Sequence, residues 1–172
     1  MRYTGLLILF ALLLGTVTLD SQEQRTDFSG EWALNKEKSD FGLRQDGKKR
    51  TPRSSSMIIE QDDKNLTVMM IRTNRDGKED KRKFKYSLEG KKTKNKTESG
   101  KQESTAKWIE KGQILEIVST MDVKRGDMEF TMESVNTWSI SEDQLVIDSV
   151  RYTPRGDMES KAVYDRKIDT EN

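Results

Sequence analysis

The stretch 128–140 restricts what this chain can become more than any other segment. Met128, Phe130, Met132, Trp138 and Ile140 fall on one face together with Ser134 and Asn136. Glu129, Thr131, Glu133, Thr137 and Ser139 take the other face, and only Val135 breaks the alternation. A period of two held this long is incompatible with an amphipathic helix, whose apolar positions recur three and four apart. It describes a strand with one face on a core and one in water.

Shorter segments repeat the pattern. Phe28, Gly30, Trp32 and Leu34 share one face of a first strand, 57–61 and 66–71 follow, and Phe84, Tyr86 and Leu88 alternate with basic residues in 82–88. Further strands are expected at 103–109, 113–123, 128–140, 144–152 and 159–167. Polar turns separate them, among them Asp62-Asp63-Lys64-Asn65, Glu110-Lys111-Gly112 and Ser141-Glu142-Asp143. Asp-Gly and Gly-Asp pairs at 76–77, 126–127 and 156–157 supply the positive φ angles of tight hairpins. Sequential hairpins make a meander, and a long meander removes its exposed edges by closing. The predicted fold is therefore all-β: an antiparallel meander β-barrel of 8–10 strands, with a β-sandwich as the alternative.

Two segments depart from the alternation. Residues 36–54 form a long polar connection anchored only by Phe41 and Leu43, a length associated with lids and binding loops as well as plain solvated excursions. Residues 89–105 are almost entirely polar, so a strand there must be an edge, border a gap or protrude.

The N-terminus bears on the compartment. Arg2 precedes the unbroken apolar run 6–14, and no charge falls between Tyr3 and Leu19. Such a run behind a positive start reads as a signal peptide, and it is marginal for a hydrocarbon core about 30 Å thick. Residues 1–21 are the expected signal, with cleavage before Gln22, leaving 22–172 as a single domain with no transmembrane segment. The expected location is the periplasm or the exterior, and a monomer is expected.

The chain is 35% charged and 32% hydrophobic. That is lean for a globular core, but one-sided strands need apolar residues only at alternate positions. Cysteine and histidine are both absent. This excludes a disulfide framework, Ser-His-Asp or Cys-His nucleophiles, imidazole-bound zinc and histidine-ligated haem. No catalytic group, metal site or cofactor is expected.

Asp27-Phe28-Ser29-Gly30-Glu31-Trp32-Ala33-Leu34-Asn35 resembles the opening strand of lipocalins and fatty-acid-binding proteins, where a Gly-x-Trp plugs one end of the barrel. The fuller text, with Lys38-Ser39-Asp40-Phe41-Gly42 and the terminal Val163-Tyr164-Asp165-Arg166, is similar to exported bacterial lipocalin-like proteins of the calycin superfamily. The resemblance implies that Gly30, Trp32 and Arg166 form a structural plug, with Arg166 of the last strand lying across Trp32. The Arg-x-Tyr carboxylate clamp of fatty-acid-binding proteins is not reproduced, because Arg151 and Tyr152 are adjacent and face opposite sides.

Parity counted from Trp32 nominates an interior lining. The candidate ligand-binding residues are Val68, Met70, Phe84, Tyr86, Trp108, Ile117, Phe130, Met132, Trp138 and Tyr164, with methionines as adaptable walls. The expected function is a small-molecule-binding or carrier module for an apolar or amphipathic ligand. The alternative is a structural or protein-interaction domain of the cell envelope whose barrel is filled by these side chains. Residues 81–101 carry nine basic side chains, from Lys81 and Arg82 to Lys101, against Glu89 and Glu98. The strip is read as a solvated face that could also meet an anionic surface. Nucleic acid is not an expected partner.

Overall fold

A computed structural model of the protein describes residues 24–43, 47–50, 55–73, 76–97, 100–125, 128–154 and 156–167. The expected signal segment and its cleavage point lie outside the described residues, as do Gly126, Asp127 and Arg155 of two expected turns.

Ten strands run in chain order: β1 (Gly30–Asp40), β2 (Ser55–Gln61), β3 (Asn65–Thr73), β4 (Glu79–Ser87), β5 (Thr93–Thr97), β6 (Gly100–Ile109), β7 (Ile114–Arg125), β8 (Met128–Ser141), β9 (Gln144–Tyr152) and β10 (Met158–Arg166). They form one antiparallel sheet in the order β4-β3-β2-β1-β10-β9-β8-β7-β6-β5. One continuous sheet is a nearly closed barrel and not a sandwich. Each strand pairs with its sequence neighbours except β4 with β5, and β1 pairs with β10 as well as with β2, placing Trp32 opposite Arg166 and Leu34 opposite Tyr164.

Register carries a single inner face around the ring. Trp32 opposes Met57, Ile59 opposes Val68, Val68 opposes Phe84, and on the far side Leu115 opposes both Trp108 and Trp138. Trp32, Met57, Ile59, Val68, Leu115, Ile117 and Leu145 are all buried on this face.

One end is sealed from outside the sheet. Residues before β1 form a strap across the turns at that end: Thr26 N–H donates to the Gly112 carbonyl at 3.0 Å, Gln61 Nε2 to the Thr26 carbonyl at 2.9 Å, and Arg25 to the Asp63 carbonyl at 3.2 Å. The strap delivers Phe28, fully buried, between Trp108 (centroids 5.9 Å apart, stacked) and Trp138 (5.9 Å, edge-on). Trp32 Nε1 donates to the Phe28 carbonyl at 2.9 Å. Arg166 lies 4.2 Å above the Trp32 ring and donates to the Ser29 carbonyl at 2.8 Å. Phe28 was expected within the first strand; it precedes β1 and acts as the plug's inner stopper.

β1 also runs further than expected, to Asp40, so the connection after it is shorter. A bulge between Asn35 and Asp40 permits this. There Ser39 Oγ accepts from Val163 N–H at 2.9 Å and stands in for a strand carbonyl. Beyond it, 41–43 and 47–50 lie side by side through a Leu43–Lys49 bridge and an Arg50 N–H bond to the Gly42 carbonyl at 2.9 Å.

The polar stretch 89–105 holds β5 and the head of β6, and no backbone ladder joins β4 to β5 among the described residues. The seam is bridged by a side chain. Asn95 Oδ1 accepts from Lys85 N–H at 2.8 Å, and Asn95 Nδ2 donates to the Lys85 carbonyl at 3.0 Å. The carboxamide thus takes the place of a peptide group in the missing ladder. β5 is held to β6 on its outer side by Lys92 and Lys94, which flank Glu103 at 3.0 and 2.9 Å. The Lys94 and Lys92 bonds hold the Glu103 carboxyl below its usual range.

Candidate ligand-binding cavity

The inner face does not fill its own interior. A cavity of about 600 Å³ opens at the end away from the plug, beneath the paired segments 41–43 and 47–50, which contribute Phe41 and Arg50 to its lining. Val68, Met70, Phe84, Tyr86, Ile117, Met132, Trp138 and Tyr164 line it. The other two nominated residues do not. Trp108 stacks on Phe28 at the sealed end and borders a separate surface hollow there, its Nε1 buried without a partner. Phe130 sits towards the tip of the β7–β8 hairpin, beside Val123. Both lie on the inward parity, so the count is right and the depth is what separates them from the cavity.

The cavity differs by wall. On β2–β4 it meets Met57, Val68, Met70, Phe84 and Tyr86, broken only by Arg72 and Arg82. On β6–β10 hydroxyl and amide groups interrupt the apolar lining: Gln102, Ser119, Ser134, Asn136, Ser149 and Ser160. Ser104 Oγ and Ser119 Oγ share a hydrogen bond at 2.8 Å, and Ser149 Oγ donates to Asn136 Oδ1 at 2.6 Å. These pairs satisfy groups that would otherwise be costly in a buried setting.

Charge collects at the mouth. Arg50, Arg72, Arg82 and Arg151 line the cavity against Glu159. Arg82 is held by Asp80 at 2.7 Å. Arg72 and Arg151 are exposed and enter no ion pair among the described residues. Arg82 had been counted with the outward basic strip; its partner Met70 faces inward and takes Arg82 with it. The strip keeps Lys83, Lys85, Lys96 and Lys101 as exposed cations on both sides of the seam.

The two cavity tyrosines stay neutral. Burial pushes the Tyr86 hydroxyl well above its ordinary value. Burial also raises Tyr164, opposed in part by a hydrogen bond with Ser55 and by the nearby Arg72 charge. Among the described residues no group of three or more carboxylates is placed to hold a metal ion.

No protein-family model and no curated protein sequence matches this chain. Solved structures do. Zebrafish ileal bile acid-binding protein, complexed with cholic acid, superposes with a TM-score of 0.53 at 16% identity, covering 81% of this chain and 98% of that one. An abundant heat soluble protein of Ramazzottius varieornatus gives 0.57 at 11% identity, covering 86% and 100%. Apo lipid binding protein 8 of Caenorhabditis elegans gives 0.52 at 12% identity, covering 87% and 99%. At these identities the likeness is one of fold: an all-β antiparallel barrel of the fatty-acid-binding-protein and lipocalin-like type.

Proposed function

We propose that this chain is an exported, non-catalytic carrier that holds one lipophilic anion in its barrel, apolar part inward and charge at the mouth. The observation that carries this reading is the cavity of about 600 Å³, apolar and methionine-bearing on its β2–β4 wall, with Arg72 and Arg151 at its opening. Its volume falls within the range that encloses most of a small ligand. A filled interior, as in the structural-domain alternative, would leave no such space. Neighbours of the same fold are named for bile acid, fatty acid and lipid binding, and none of the names is an enzyme's. Export rests on the apolar run 6–14 behind Arg2, and delivery across an aqueous envelope or exterior is work that a soluble lipid carrier suits.

The test is direct binding. Purified protein should bind anilinonaphthalene sulfonate one to one, and oleate should displace it. Replacing Arg72 or Arg151 by Ala should weaken oleate about tenfold, the equivalent of roughly 1.4 kcal/mol for a charge-assisted contact. Added salt should weaken the parent in the same direction, since these cations are exposed. Absence of both probe and oleate binding would overturn the carrier reading.

A further inference from the structure

The polar band on β6–β10 has a geometry beyond what packing needs. Cross-strand register makes it contiguous: Ser119 opposes Ser134, Ser134 opposes Arg151, Asn136 opposes Ser149, and Ser149 opposes Ser160. Five strands around the ring, the facing wall on β2–β4 offers Met57, Val68, Met70 and Phe84. The Ser149–Asn136 pair is satisfied internally. Ser134 and Ser160 line the cavity, and their hydroxyls have no protein partner among the described residues. A cavity built only for an alkyl chain gains nothing from such hydroxyls, because each must be desolvated when the chain enters.

We infer that the ligand carries hydroxyl groups close to its anionic head, received by Ser134 level with Arg151 and by Ser160 below it. This rests on the carrier reading and narrows its ligand class. The depth follows from the register. Ser134 stands directly across the ladder from Arg151, and Ser149 and its partner Ser160 lie two residues further in, about 6.6 Å along the strand. A head group at Arg151 therefore puts the next few atoms of the ligand beside the hydroxyl band and the remainder on the apolar floor of Ile117, Trp138 and Ile147. Hydroxyl positions near the carboxylate fit this arrangement; the floor of Ile117, Trp138 and Ile147 offers a hydroxyl at the far end of the tail no polar partner, and at that depth only the Tyr86 hydroxyl, on the opposite wall, stands without a protein partner among the described residues.

Calorimetric titration with palmitate, 3-hydroxypalmitate and 16-hydroxypalmitate tests the inference. The parent should bind 3-hydroxypalmitate about three- to tenfold tighter than palmitate, the range of one or two net hydrogen bonds. In the Tyr86→Phe background, which removes the one deep hydroxyl, the 16-hydroxy isomer should bind no better than palmitate while the preference for 3-hydroxypalmitate persists. Ser134→Ala with Ser160→Ala should bring the 3-hydroxypalmitate to palmitate ratio to about one while leaving palmitate within about twofold, and Ser134→Thr should restore part of the preference. Equal affinities for the three ligands in the parent, or an equal loss for all three in the double variant, would overturn the hydroxyl assignment and leave the carrier reading standing. Failure of all three to bind would remove both.

Discussion

Phe28 and Trp32 share the sealing of the barrel's plugged end, and Gly30 between them makes the arrangement feasible. Gly30 adopts φ 131°, and a Cβ there would stand 2.5 Å from Arg166 Nη1, the group stacked over Trp32. Deeper in, Tyr86 makes no protein hydrogen bond through its hydroxyl among the described residues, and burial alone raises its pKa. The sign of the consequence is fixed. An unfolded tyrosine ionises near pH 10, whereas the folded one keeps its proton, so stability is complete below about pH 10 and is lost as pH rises above it. Tyr164 acts in the same direction. Urea unfolding between pH 8 and 11 should show a decline approaching about 1.4 kcal/mol per pH unit per tyrosine. Tyr86→Phe should make that decline shallower and leave stability at pH 7 nearly unchanged; an unaltered slope would mean that Tyr86 ionises as freely folded as unfolded. Alternation made inward positions such as Val68, Met70, Phe84 and Ile117 legible, since one inward tryptophan sets the parity of every registered neighbour. The arginines were legible by the same count, as two residues past Met70 is Arg72 and two past Ser149 is Arg151. Charge obscured them, because a basic residue is ordinarily assigned to solvent, and a barrel mouth is where that assignment fails.

Among the elements, the β8–β9 hairpin shows local chemistry yielding to tertiary demand. Ser141 pairs with Gln144, which leaves Glu142 at φ 51° and Asp143 at φ 59° as a two-residue turn. Positive φ at both positions is what a right-twisted hairpin requires, and Asn-Gly meets it with less strain than Glu-Asp. Replacing Glu142 by Asn together with Asp143 by Gly should stabilise the protein by roughly 1 kcal/mol and raise Tm by about 2–4 °C. No gain in a calorimetric scan would show that these angles carry little strain here. The turn itself was readable from the sequence. β5 was not readable as a strand, because Lys92, Lys94 and Lys96 alternate with Thr93, Asn95 and Thr97 and neither set is apolar; its place comes from its ladder with β6, from Glu103 outside and from Asn95 across the seam. The strap was hidden for a related reason, since 24–27 binds through backbone groups to distant turns that no periodicity reveals.

For the molecule as a whole, closure depends on two unlike joints. Between β1 and β10 the joint is an ordinary ladder, implied by the pairing of first and last strands in any closed meander. Between β4 and β5 it rests on one carboxamide at a residue only 6% exposed. That dependence bears on where the protein can be manufactured. Asn95-Lys96-Thr97 is an acceptor triplet for N-linked sugar, and a glycan on Nδ2 would replace the proton given to Lys85 and place a bulky polar group where the seam must shut. Asn65-Leu66-Thr67 is also such a triplet, but Asn65 lies exposed at the β2–β3 turn, where its Nδ2 meets only the exposed Asp62 carboxylate at 3.2 and 3.3 Å, so a sugar there should cost far less. Protein secreted from yeast should therefore split into two populations. The form modified at position 95 should unfold at lower urea than the same chain made in bacteria, and Thr97→Val should restore a single species of bacterial stability. Equal urea midpoints for the two forms would show that the seam tolerates losing its amide. For a cysteine-free chain that needs no oxidising compartment to form disulfides, the choice of production host would then be decided by one asparagine.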